Sequence, residues 1–387
     1  MISLMGFTRP SVQTELDRFF KSLAKSPESF ETISKSAFTQ ARKKLKPEAF
    51  IQLSKSQLDY FDKNAPHQKC WKQKRVVAID GSLLNLPHTP EIEEEFGFVK
   101  NQHEKVVSAR CSFAYDVSNE LILDSKIDKR KSCEKELAVG HLSSLNADSD
   151  IIVFDRGYPC QWLMGLLIKQ EFKFCFRLST SWKDAVELMN SDKKDIDWEL
   201  IRRSKKNPGK MAQYGVSKQL SGMRLVCIEL SNGEKEVLAT NLTDRDNYTI
   251  EDLKELYHLR WGIEESYKTF KKVLHIEHFT GKSVIAVQQD FYAKVFMLIL
   301  ASMIRTQGVN PTTKKKKHRS KANKTQVLAK VKDFLIDILY STKSKELIHQ
   351  MLAILKKRLE LIRPNRSFKR VDTSSRRRHK LMNSKGI

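Results

Sequence analysis

Val76-Val77-Ala78-Ile79-Asp80-Gly81 and Ile151-Ile152-Val153-Phe154-Asp155-Arg156-Gly157 carry one pattern twice. A short, β-branched apolar run ends in an aspartate, and a glycine follows within two residues. Such runs have the length and composition of buried strands. The glycine lets the chain turn away once the carboxylate has been delivered. Carboxylates at the strand ends of an open sheet stand where ligand crevices form. Either aspartate alone also reads as a turn or a helix cap. Together, in a basic chain, they mark a candidate site.

Working outward, Val106–Val117 and Glu120–Ile127 alternate and are joined by Ser118-Asn119, the signature of a hairpin. Residues 134–145 and 161–169 have helical patterning, and 173–178 reads as a further strand. The order strand, strand, strand, helix, strand, helix, strand predicts an α/β fold with a mixed sheet covered by helices. Residues 181–245 read as an insertion with two strands, 223–230 and 235–242, turning at Asn232-Gly233. Residues 1–72 look helical. Helices joined near Lys46-Pro47, with Arg42, Lys43 and Lys44 between them, form either a DNA-binding pair or an ordinary helical cap. The expected division is 1–72 helical, 73–180 plus 246–305 a catalytic core, 181–245 the insertion, and 306–387 a basic helical region.

The 387 residues carry 70 Lys+Arg against 46 Asp+Glu, a formal net charge of +24. From Pro311 to Ile387 there are 23 basic and 5 acidic residues, a net of +18, which leaves +6 for the rest. That excess attracts a polyanion, most often nucleic acid; anionic membranes and acidic proteins stay open on charge alone. The six cysteines are scattered, with no C-x-x-C pair. This argues against a disulfide framework or a zinc site and suits reduced thiols in a cytosol. No signal peptide is expected at the N-terminus. The most apolar run, Val295 to Ile304, is half of the ~20 residues a membrane span needs, so a core helix is expected there.

A third acid comes from a predicted amphipathic helix over 249–274, with Thr249 as its cap and Asp252 near N3. Tyr257, Arg260, Glu264, Lys268 and Lys271 follow one another by 3, 4, 4 and 3 positions and share one face about 21 Å long. Leu256, Leu259, Ile263, Tyr267, Phe270 and Leu274 form the adjoining apolar face. On spacing alone, Arg260 and Glu264 also read as a solvated i,i+4 ion pair.

The spacing Y-x2-R-x3-E-x6-K over Tyr257, Arg260, Glu264 and Lys271 resembles the signature of the insertion-sequence-four family of DDE transposases. Ala78-Ile79-Asp80-Gly81-Ser82 resembles that family's first-aspartate block, and Phe154-Asp155-Arg156-Gly157-Tyr158 its second. Residues 36–45 resemble its N-terminal segment, and Arg363-Pro364-Asn365-Arg366-Ser367-Phe368 its basic C-terminal motif. The opening, Met1 to Pro10, looks abbreviated.

The resemblance implies an RNase H-like core with a β-rich insertion, and cut-and-paste DNA transposition. It implies two Mg²⁺ ions, with Mn²⁺ as a substitute, held by Asp80, Asp155 and Glu264. It implies DNA contacts from Tyr257, Arg260 and Lys271, with Arg156 and Lys268 as further candidates. The implied partners are double-stranded DNA (terminal inverted repeats and target) and a second copy of the chain. The implied location is the bacterial cytoplasm, at the nucleoid when DNA is bound. Hard carboxylates suit Mg²⁺, and paired ions suit in-line displacement at phosphorus.

Other features invite blander readings. Gly281-Lys282-Ser283 lacks the first glycine of a phosphate loop, because Ile276 stands there. Asp116, Asp124 and Asp128 read as surface acids of the hairpin. Glu265 points about 100° away from Glu264. Trp182, Trp198 and Trp261 read as packing rather than as platforms for an extruded base. Two rivals stay open on sequence: an inactive or domesticated transposase-derived DNA-binding protein, and an RNase H-type nuclease without strand transfer.

Overall fold

The computed structural model describes residues 1, 4–5, 11–23, 33–65, 68–100, 102, 104–201, 208–230, 232–308 and 320–361. Lys314–Lys317 and the motif at 363–368 lie outside them, as does most of 1–10. The chain forms two compact units. One comprises Gln68–Leu83 and Arg110–Ser266. The other comprises Met1–His67, Leu84–Ala109 and Tyr267–Ile387.

The strands are β1 (Arg75–Asn85), β2 (Phe98–Lys100), β3 (Lys105–Asp116), β4 (Leu121–Lys129), β5 (Asp150–Phe154), β6 (Lys173–Leu178), β7 (Asp195–Ile201), β8 (Gln219–Glu229) and β9 (Lys235–Thr240). In the first unit they run β3-β1-β5-β6-β9-β8-β7, with β4 also paired to β3. β1 and β5 are parallel, from Arg75↔Asp150 to Ile79↔Phe154, and β6 lies parallel to β5. β9, β8 and β7 continue the sheet antiparallel. The bond from Val117 N to Val76 O ties the end of β3 to β1. The order β4-β3-β1-β5-β6 is that of the RNase H-like core implied by the resemblance, and the fold is mixed α/β, as the order of strands and helices predicted.

The two expected strands of the insertion are β8 and β9. A third, β7, alternates Ile196, Trp198 and Leu200 within a charged stretch, so composition hid it. All three belong to the sheet that carries Asp155.

The core of this unit forms because the strands are apolar on both faces and take helices against them. Phe154 and Phe176, neighbours across β5 and β6, stack with centroids 4.5 Å apart, and neither is exposed. The helix Gln161–Lys169 buries Trp162 to Leu167 without a break. Truncating Phe154 to alanine would cost about 3–5 kcal/mol.

The other unit is mostly helical. Val284–Met303 is capped by the Ser283 hydroxyl and packs against the helices Glu48–Asn64 and Lys324–Tyr340. Among the described residues, Val284–Thr306 is the one stretch long and apolar enough to cross a membrane, but 72% of its apolar window is buried. A core helix, as expected, is the simpler account. Arg42 corrects an expectation. It is buried, donating to Gln289 Oε1 at 2.8 Å, Thr280 Oγ1 at 2.7 Å and Asp290 Oδ1 at 3.0 Å. Its guanidinium is spent inside the fold, and Lys43 and Lys44 are the exposed cations there.

The predicted helix over 249–274 is also corrected. It starts as expected, with a capping box between Thr249 and Asp252, and runs Ile250–Leu259. It then tightens: Arg260 N bonds Tyr257 O, and Ile263 N bonds Arg260 O, both at 3.1 Å. Trp261–Lys268 follows, and then a π-helical turn over Thr269–Val273. The apolar periodicity continues through both irregularities, which is why the sequence reads as one helix. Gly262 sits at the first of them, where a Cβ would lie 3.4 Å from Val117 Cβ. The wider π turn ends the shared face before Lys271.

Candidate active site

The β1–β5 register puts Asp80 and Asp155 one step beyond the pair Ile79↔Phe154, side by side on neighbouring strands. Strands stand about 4.8 Å apart, so the two carboxylates share one patch of the sheet end. Burial raises Asp80 to about 6; the Gly81 N–H and Arg260 pull it down, while Asp155 and Glu134 push it up. At Asp155 burial also pushes upward, but the Arg156 N–H, Arg260, Arg177 and the Tyr257 hydroxyl outweigh it and hold the carboxyl below the usual range.

Arg260 links the three acids. It is 4% exposed, lies 3.2 Å from Glu264 Oε1, and acts on both Asp80 and Asp155. Its guanidinium lies over the rings of Tyr257, at 5.4 Å, and Trp261, at 5.3 Å. The reading as a solvated ion pair fails on the Arg260 side, because Arg260 is buried while Glu264 is half-buried. Tyr257 donates its hydroxyl to Asp155 Oδ1 at 3.1 Å. Burial pushes that phenol well up, so it remains a donor at neutral pH.

The remaining candidates are less central. Arg156 is exposed, and its backbone N–H serves Asp155. Lys268 is exposed and Lys271 half-buried; both belong to the helical unit. Glu265 is exposed. Trp182 and Trp198 pack edge to face, and Trp198 donates to Asp184 at 2.9 Å, so packing accounts for both.

Two groups of functional side chains escaped the sequence reading. Arg177, on β6, has its Nε 3.5 Å from Asp155 Oδ1 and pairs with Glu236 of β9. A lone arginine inside Phe174-Cys175-Phe176-Arg177-Leu178 was the available signal. The other group lies behind Asp80. Ser112 Oγ donates to the Asp80 backbone carbonyl at 3.3 Å, His141 Nε2 lies 2.9 Å from Ser112 Oγ, and His141 Nδ1 lies 2.7 Å from Asp124 Oδ2. Asp124 is therefore no plain surface acid. Nor is Asp116, which is buried and accepts from the Ser118 and Asn119 backbone amides at 3.0 Å.

Among the described residues, no three His, Cys, Asp or Glu side chains gather closely enough to hold a metal ion. The positive group amid the acids is Arg260. The donor set still fits a hard divalent cation: the nearby groups are carboxylate oxygens, and burial, with Asp155 and Glu134 close by, disfavours Asp80 as an anion.

The family model of the transposase DDE domain matches residues 71–300. The chain belongs to this family. DDE transposase domains use divalent metal. The transposase InsG for insertion sequence element IS4 of Escherichia coli (strain K12) is 21% identical over 288 residues, covering 72% of this chain. The chain spans 62% of the length of that relative. A cryo-EM structure of a piggyBac transposase synaptic complex with hairpin DNA is similar at 10% identity and a TM-score of 0.42, over 96% of this chain and 77% of that one. Asp80, Asp155 and Glu264 all fall within the matched span.

Proposed function

We propose that the protein is a DNA transposase that cuts at the ends of its own mobile element and joins the freed strands to a target. The observation that carries this reading is the adjacency of Asp80 and Asp155 in register, with the buried Arg260 acting on both and paired to Glu264. In the family member so described, Asp80, Asp155 and Glu264 hold Mg²⁺, which Mn²⁺ can replace. The metal supplies charge for the attacking and leaving oxygens of an in-line displacement.

The chain's own groups have separable tasks. Tyr257 and Arg177 keep Asp155 ionised and oriented. Arg260, which pairs with Glu264, is placed to contact a DNA phosphate beside the acids. Lys271, Lys268 and Arg156 add backbone contacts, which position DNA without reading its sequence. The substrate is double-stranded DNA carrying the terminal repeats. A second copy of the chain completes the paired-end complex. The +18 C-terminal region adds salt-dependent affinity.

Metal-dependent nicking of a terminal-repeat duplex tests the reading. Asp80→Asn, Asp155→Asn and Glu264→Gln should each abolish cleavage while DNA binding persists, and full cleavage by any of them refutes it. Supplying pre-cut ends with free 3′-hydroxyls and a plasmid separates a transposase, which joins them, from a nuclease, which does not. Sedimentation with paired ends tests for the dimer.

A further inference from the structure

Beside Asp80 lies a carboxylate outside the three discussed so far. Glu134 opens the helix Glu134–His141, and its side chain lies over Gly81. A Cβ built on Gly81 would fall 3.2 Å from Glu134 Cγ and Oε1, so the glycine gives this carboxylate room against the backbone one residue past Asp80, on which its charge acts. Arg110 of β3 grips Glu134 Oε1 and donates from Nε to the Arg130 carbonyl at 3.3 Å, which fixes the carboxylate in place. The Glu134 side chain remains 37% exposed, so solvent and ions reach it.

An independent observation points to a ligand at the same spot. Tyr158 is 2% exposed, its ring 5.3 Å from that of Phe154, and its hydroxyl has no hydrogen-bond partner. Buried hydroxyls without partners are rare and costly. After burial itself, the strongest influences on this phenol are the carboxylates of Asp80 and then Glu134. A polar group is thus buried against two acids yet bonded to neither.

We propose that Glu134 and Asp80, on either side of Gly81, form a two-carboxylate site for a hard divalent cation, with the Tyr158 hydroxyl meeting the cation's water shell. Mg²⁺ keeps several waters and is held by one or two carboxylates, so two protein ligands suffice. With a cation there, the Tyr158 oxygen would accept a hydrogen bond from a coordinated water. Arg110 holds Glu134 in its orientation, as groups behind ligating carboxylates do. The site rests on the transposase reading and adds Glu134 to it.

Mn²⁺ binding to the full chain without DNA, followed by electron paramagnetic resonance, tests the site apart from activity. Glu134→Gln should weaken Mn²⁺ binding by roughly 10–100-fold, and Glu134→Asp by less. Tyr158→Phe should raise the melting temperature of the metal-free protein, by removing an unpaired buried hydroxyl, and should also weaken Mn²⁺ binding. Wild-type Mn²⁺ affinity in Glu134→Gln overturns the proposal. If Glu134→Gln melts early, wild-type Mn²⁺ affinity in Tyr158→Phe overturns it instead. Loss of Mn²⁺ in Asp80→Asn with retention in Glu134→Gln leaves the transposase reading standing without Glu134. Retention in both Asp80→Asn and Asp155→Asn removes the metal reading itself.

Discussion

The hydroxyl of Tyr257 and the guanidinium of Arg177 converge on one oxygen, Asp155 Oδ1, at 3.1 Å and 3.5 Å. One donor arrives from the helix Ile250–Leu259 and the other from the neighbouring strand β6, so Asp155 is oriented from two sides. Tyr257→Phe removes a neutral donor from a carboxylate. The expected result is a fall of about 10-fold in single-turnover cleavage, equivalent to ~1.4 kcal/mol. The acid limb of the pH–rate profile should stay in place, because it follows Asp80 near 6 and Asp155 lies lower.

The pH dependence of stability should carry the mark of Asp80. Its folded carboxyl, at about 6, lies above the ordinary value of 3.8, so the folded state keeps a proton that the unfolded state has released. Its contribution to stability is therefore present below 3.8 and lost as the pH rises through about 6. Asp116, also pushed to about 6 by burial, adds a second step of the same sign. Melting curves should show Asp80→Asn gaining on the wild type above pH 6, with the gap closing when Mg²⁺ is added. Cleavage runs the opposite way, rising through pH 6 as the carboxylate becomes available to a cation.

β5, which ends at Phe154 just before Asp155, was legible because β-branched runs of that length have few other fates. β1 was legible as a strand for the same reason, but it runs on through Asp80 and Gly81 to Asn85, so the expected turn at Gly81 is corrected. Glu264 was legible through the spacing of Tyr257, Arg260 and Glu264 on one helix. Arg177 was not, because an arginine near a strand end reads equally well as one reaching out to solvent. Glu134 was hidden for a similar reason: an acid in the first turn of a helix is accounted for by the helix dipole. The tightening at Arg260 leaves the apolar period intact and so leaves no trace. The burial of Arg42 depends on Gln289 and Asp290, some 250 positions away, which no local pattern can register.

The chain Asp124–His141–Ser112 should matter for stability before it matters for rate. Burial lowers the His141 imidazole, while Asp124 pulls it the other way. His141→Ala strands Ser112 and Asp124 in the interior and should cost about 2–4 kcal/mol in chemical denaturation. Ser112→Ala, which loses the bond to the Asp80 carbonyl, should cost about 1 kcal/mol.

The capping box at Thr249 offers a test of the helix that delivers Arg260 and Glu264. Thr249→Ala leaves the Asp252 amide unsatisfied and should cost about 1 kcal/mol, read as a lower melting temperature. Thr249→Ser should restore most of the loss.

The strands that follow Leu178 in sequence hydrogen-bond onto β6, and Glu236 on β9 reaches the arginine that steadies Asp155. What reads as an accessory module therefore unfolds with the catalytic platform. Amide exchange in β8 and β9 should slow to the rate of β5 and β6, as one cooperative block. Shortening this region would leave a raw sheet edge beside the proposed site.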